Sequence, residues 1–189
     1  MTPESIGAWG PQSSVLSPQS SVPDVERLAA LRELAMYPSP LWLRWYFAAR
    51  SSRRLELQPI ARALMNRGQG ITARWLAGQH DGDPERHGAI WAGENLFDIA
   101  SADVFVLFSE TPRSATRGGR LVEFGYALAH VKMIFIVGQN ETIHGQLPRV
   151  HHVATAEQLI KLLDDARAGM RAMGDGRRAT DVRPEEPMP

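Results

Sequence analysis

Two short, unbroken apolar runs, "ADVFVLF" (102–108) and "KMIFIVG" (132–138), constrain this chain more than any other feature. A strand with one face in water alternates apolar and polar side chains. A run of this length without alternation reads as a strand covered on both faces, as in a parallel sheet. Parallel neighbours need crossover connections, and the sequence supplies helical patterns for them. Asp24 follows a proline and precedes Val25, Leu28, Leu31 and Leu34, an amphipathic helix with an N-cap. "LWLRWYFAA" (41–49) suits a buried strand, and a helix is predicted around Leu55–Arg67, closed by Gly68 and Gly70. "ITARWLA" (71–77) alternates and is predicted as a second strand. The polar loop "GQHDGDPERHG" then leads into a helix over about 89–101. A helix is expected to begin near Gly119, and "ATAEQLIKLLDDARAGM" (154–170) is amphipathic. Alternating strands and helices predict an α/β fold, a three-layer sandwich around a mainly parallel sheet.

Low-complexity stretches flank this pattern. Residues 1–23 are rich in Pro and Ser and carry PQSSV twice, at 11–15 and 18–22. Such a segment cannot bury a core, so it is expected to be a disordered tail, or a docking motif. The domain is expected over 24–166, with a second disordered tail over 167–189.

The 189 residues contain equal numbers of basic and acidic side chains, 21 each. That balance gives no electrostatic case for binding a nucleic-acid polymer or a membrane surface. With no cysteine, disulfides, thiolate metal sites and a Cys nucleophile are excluded. No apolar run reaches the length of a membrane span, and the first residues lack the pattern of a signal peptide. A cytoplasmic location is expected. His80 with His87, and His151 with His152, lack metal-binding spacing, so neither metal nor organic cofactor is expected.

In parallel α/β sheets, ligands bind at the carboxyl ends of the strands, near a switch in strand order. That directs attention to Ala48–Arg53 after the first strand, to the residues after Phe108, and to the helix opening at Gly118 and Gly119. These glycines allow a close approach to a ligand. Glu123 is expected in the first turn of that helix, where the partial positive charge favours a carboxylate. By spacing alone an electrostatic cap explains it better than chemistry does. "SETPRSATRGGR" (109–120) offers hydroxyls and three arginines to a phosphate, but it lacks the P-loop pattern, and no GxGxxG follows the first strand. Asp103 is expected to bond nearby backbone. Trp42, Trp45, Trp75 and Trp91 are expected in the core or in a pocket wall.

"WYFAAR" (45–50), "ENLFDIASADVFVLFSE" (94–110) and "GGRLVEFGYALAHVKMIFIVG" (119–138) together resemble the nucleoside 2-deoxyribosyltransferase superfamily, which includes nucleoside 5′-monophosphate N-glycosidases. The likeness spans about residues 41–163. It implies a flavodoxin- or Rossmann-like sheet and an enzyme that cleaves or exchanges the N-glycosidic bond of a nucleoside or nucleotide. It assigns Glu123 as the nucleophile that forms a covalent glycosyl-enzyme, as in a retaining glycosidase. Tyr46 would position it. Ser109, Gly118 and Gly119 would line the sugar or phosphate site, with Ala48, Arg50 and Arg120 beside them. The superfamily's acidic residue at the base maps to Asn95, which can hydrogen-bond a base but cannot protonate it. A leaving-group proton would then come from Glu94, Asp98 or water. The alternative is a binding module of the same fold without turnover. The resemblance also implies a homo-oligomer, a dimer or larger.

Overall fold

The computed structural model describes residues 29–34, 42–80, 82–110, 118–131 and 133–179. The PQSSV repeats, Asp24 and most of the Arg- and Ser-rich loop lie outside these residues. Five strands form one parallel sheet: β1 (Arg44–Ala48), β2 (Gly70–Ile71), β3 (Val104–Phe108), β4 (Met133–Val137) and β5 (Val150–Val153). Their order is β2-β1-β3-β4-β5, and every pairing is parallel. The helices are α1 (Arg54–Met65), α2 (Pro84–Ala100), α3 (Gly118–His130) and α4 (Ala156–Ala179). Residues 29–34 are also helical.

The order explains the layers. The chain moves from β1 outward to β2, then returns across β1 to β3 and continues to β4. Right-handed crossovers place helices reached in opposite directions on opposite faces. Accordingly α1 packs with α4, and α2 packs with α3. The direction switches between β1 and β3, which opens a crevice at their carboxyl ends.

The two apolar runs are strands with all five residues buried, β3 and β4. Tyr46 stands beside Phe105 in the register of β1 and β3, and their rings stack with centroids 5.7 Å apart. Phe105 in turn touches Phe124 of α3, at 6.3 Å. Burying such aromatic side chains contributes on the order of 2 to 3 kcal/mol each. This stack therefore ties α3 to the centre of the sheet. Asp103 behaves as its position implied. Its carboxylate accepts the Arg44 backbone N–H at 2.9 Å and is also held by the Arg44 guanidinium.

Four local expectations need correction. The stretch 71–77 is a strand only at Gly70–Ile71, followed by a 3-10 turn at Arg74–Ala77. That turn buries the adjacent Trp75 and Leu76, not alternate residues, and lets the Trp75 indole donate to the Phe47 carbonyl at 2.9 Å. Helix α2 starts within the supposed polar loop, because Pro84 follows the N-cap Asp83, whose side chain accepts the Glu85 N–H. Strand β5 was not expected at all. Helix α4 runs beyond Ala166, where the domain was expected to close. Gly68 ends α1 as expected, with a φ of 74° that favours glycine.

Among the described residues no helix is long and apolar enough to cross a membrane. No group of three His, Asp or Glu side chains there is placed to hold a metal ion.

Candidate functional site

Glu123 projects from α3 into the crevice between β1 and β3. It is the sixth residue from Gly118, so it sits in the second turn rather than the first. The end of the helix dipole therefore does not explain its charge. One carboxylate oxygen, Oε1, accepts two hydrogen bonds, each 3.0 Å: from the Tyr46 hydroxyl and from Asn95 Nδ2. The sheet fixes Tyr46, α2 fixes Asn95, and both hold the same oxygen. The other oxygen, Oε2, has no hydrogen-bond partner among the described residues.

Burial sets the electrostatics. It pushes the Glu123 carboxyl up to about 7, and the hydrogen bonds from Tyr46 and Asn95 pull it back only in part. The expectation that the site favours a fully charged Glu123 is thus corrected: near neutral pH the carboxyl is balanced between its two forms. Burial, with Glu123 alongside, drives the Tyr46 phenol far above its usual range, so its hydroxyl stays a donor.

Two clefts meet along Ala49, Ser51, Ser52 and Glu123, which line both. The first, about 410 Å³, is polar and lined by Ala49, Arg50, Ser51, Ser52, Gly119 and Arg120. The second, about 720 Å³, is walled by Trp75, Trp91, His80 and Leu55, with Asn95 at its Glu123 end. Both are within the usual size range of small-molecule sites.

The expected site residues divide between these clefts and other places. Tyr46, Asn95 and Glu123 come together, and Arg50, Gly119 and Arg120 line the polar cleft. Arg50 is held by Glu110 at 2.9 Å. Arg120 is buried and paired with Glu141, yet its Nε and Nη1 are buried without a partner among the described residues. Ala48 is fully buried within β1, and Ala49 takes the place at the cleft. Gly118 is exposed at the start of α3 and lines neither cleft. Ser109 faces a separate hollow with Arg53, Glu110 and Gly138, where its hydroxyl donates to the Val137 carbonyl at 3.0 Å. Trp75 and Trp91 are pocket wall and Trp45 is core, as expected, whereas Trp42 is exposed.

Sequence reasoning pointed to the stretch Ala48–Arg53 without singling out Ser51 and Ser52, and it assigned no site role to His80 or Glu141. The two serines lie beyond the end of β1, after Ala49 and Arg50, within that stretch. Glu141 carried no local signal, since its partner Arg120 lies on another element. The two proposed acids are both occupied. Asp98 binds Arg74 with both oxygens, and Glu94 divides its oxygens between Arg74 and His80.

No protein-family model matches the chain, and no curated protein sequence does. Among solved structures, the chain is similar to the Clostridium botulinum CMP N-glycosidase BcmB, with a TM-score of 0.45 and 21% identity, over 64% of this chain and 98% of that one.

Proposed function

We propose that this protein cleaves the N-glycosidic bond of a nucleoside 5′-monophosphate, with Glu123 as the nucleophile. The carrying observation is the joining of a polar and an aromatic cleft at one carboxylate with a free oxygen. A nucleotide has the same three parts in the same order. Its phosphate suits the hydroxyls of Ser51 and Ser52 and the unpartnered N–H groups of Arg120. Its base suits the faces of Trp75 and Trp91, and its C1′ falls between, at Glu123.

In this reading Glu123 Oε2 attacks C1′ while Tyr46 and Asn95 hold Oε1. The C1′–N bond breaks through an oxocarbenium-like transition state, and the base leaves. Water then opens the glycosyl ester. A second free base in place of water would give transfer instead. Asn95 keeps a buried Oδ1 without a partner among the described residues, and it can accept a hydrogen bond from the sugar or base. The reaction needs neither metal nor cofactor. Ile90 and Phe97 of α2 and Val122 of α3 are exposed, and this apolar surface would seat a second copy in a homo-oligomer.

The test is a panel of nucleosides and their monophosphates, with and without a second free base, followed by chromatography. Monophosphates should release base, and Glu123→Ala should abolish that release. Unchanged turnover in the variant would sink the assignment. Ligand-dependent thermal stabilisation without any base release would favour a binding module.

A further inference from the structure

A departing base needs a proton, and the groups around Glu123 that carry one are nearly all committed. Asn95 has none to give. Tyr46 donates to Glu123. Asp98, with 5% side-chain exposure, is bound through both oxygens by Arg74, and Glu94 Oε1 accepts from Arg74 at 3.1 Å. Among the described residues lining the aromatic cleft, His80 is the one imidazole, a group that can hand on a proton from a ring nitrogen. Its ring lies against Trp91, with centroids 5.5 Å apart and planes 19° from parallel. Its Nε2 is 2.9 Å from Glu94 Oε2, and its other ring nitrogen makes no hydrogen bond among the described residues.

Resting on the function proposed above, we propose that His80 is the general acid of this site: fixed by Glu94 and Trp91, it protonates the departing base. The Glu94 carboxylate, held in turn by Arg74, keeps a proton on Nε2, so Nδ1 carries the transferable one. This is the orientation that a carboxylate imposes on an imidazole in a catalytic triad. In the first step Glu123 Oε2 bonds to C1′, and the electron pair of the broken C1′–N bond goes to the base, which takes the proton from Nδ1. In the second step water attacks C1′ and gives its proton back to Nδ1, while the ester electrons return to Glu123. Atoms and charge balance over the cycle, with base and sugar phosphate as products. His80 thus stands in for the acid missing at Asn95, approaching from the loop before α2 rather than from α2 itself. Among the described residues, the ionisable groups facing His80 include Glu94, with Arg74 behind it, Arg54 and Glu123 of the same cleft, and the His87 ring on the same indole, 5.7 Å from Trp91.

The test compares two leaving groups. One is the monophosphate that the wild type cleaves best. The other is a 4-nitrophenyl ribofuranoside or deoxyribofuranoside 5′-phosphate, whose phenolate departs without a proton and whose ring fits the indole-lined cleft. His80→Asn and His80→Gln should each lower the ratio of base release to nitrophenolate release by about 10²- to 10⁴-fold, the usual contribution of general acid catalysis. An unchanged ratio overturns the proposal, whether both rates fall together or neither does, because a purely structural role moves both alike. Wild-type cleavage of nucleotides without nitrophenolate release also overturns it. Thermal melting checks that the variants fold; if neither folds, His80 is structural and the proposal falls. If the wild type releases nothing from any substrate, the function proposed above fails first and takes this one with it.

Discussion

Replacing Glu123 with glutamine should make the protein more stable, and by an amount that depends on pH. The carboxyl rises from 4.5 in the unfolded chain to about 7 in the fold, chiefly because it is buried. Between those values the folded state binds a proton that the unfolded chain has released, so stability declines as pH rises through this window. Below it the carboxyl is neutral in both states and costs nothing. Above it the deficit is constant at about 3 kcal/mol, from about 1.4 kcal/mol per pH unit. Glutamine cannot ionise, and its carbonyl can still accept from Tyr46 and Asn95, the two groups that now hold Oε1. Glu123→Gln should therefore exceed the wild type by about 3 kcal/mol at pH 8, or roughly 6–12 °C in Tm for a chain of this size. At pH 5 the gain should shrink to about 1 kcal/mol or less. Thermal and urea melts of both proteins at pH 5 and pH 8 measure it. A difference that is the same at both pH values, or a variant that is weaker at pH 8, would refute the electrostatic reasoning. The same variant should release no base, so gained stability and lost chemistry would come from one group.

The remaining predictions concern its neighbours. Only the ionised Glu123 is a nucleophile, so kcat/KM for base release should fall as pH drops below about 7. Tyr46→Phe removes a hydrogen bond that lowers the Glu123 carboxyl. The acid limb of the profile should then move to higher pH, with a rate loss of about 10- to 100-fold, in line with 1.5–3 kcal/mol for a bond to a charged group. Arg120→Met removes the charge partner of Glu141, whose side chain is only 2% exposed and would keep, among the described residues, only the Glu110 backbone N–H, and should cost about 3–5 kcal/mol in denaturant melts. Arg120→Met with Glu141→Leu should cost less than the single change, because no charge is left buried alone. Phe97→Glu places a charge on a residue that is 66% exposed. If this surface seats a second copy, sedimentation should show a smaller assembly with little loss of melting temperature.

What could be read in the sequence follows from how far each signal reaches along the chain. β3 and β4 were legible because a run of apolar residues needs no partner to declare itself, and the parallel sheet followed from two such runs with helices between them. β5 was not legible, because "VHHV" places two histidines where an apolar run would be read. His151 is buried against Phe135 and bonded to Glu33, and His152 reaches the Gly145 carbonyl. These partners lie elsewhere in the chain, so no local pattern could announce that the polar strand would be satisfied. The site divides in the same way. Tyr46, Asn95 and Glu123 were recognisable from their motifs, but not that two of them would hold one oxygen of the third. The raised carboxyl was hidden for a further reason. Helix position argued for a charged Glu123, whereas desolvation under the neighbouring elements is a property of the assembled layers and overrides it. His80 shows the same limit from the other side. In the sequence it is one polar residue in a glycine-rich loop. Only the folded chain brings it to Glu94 and Trp91, within the cleft that Glu123 also lines. If His80 serves as the proposed acid, it does so from a loop and not from α2, because catalysis requires a proton at a point in space and not at a place in the chain.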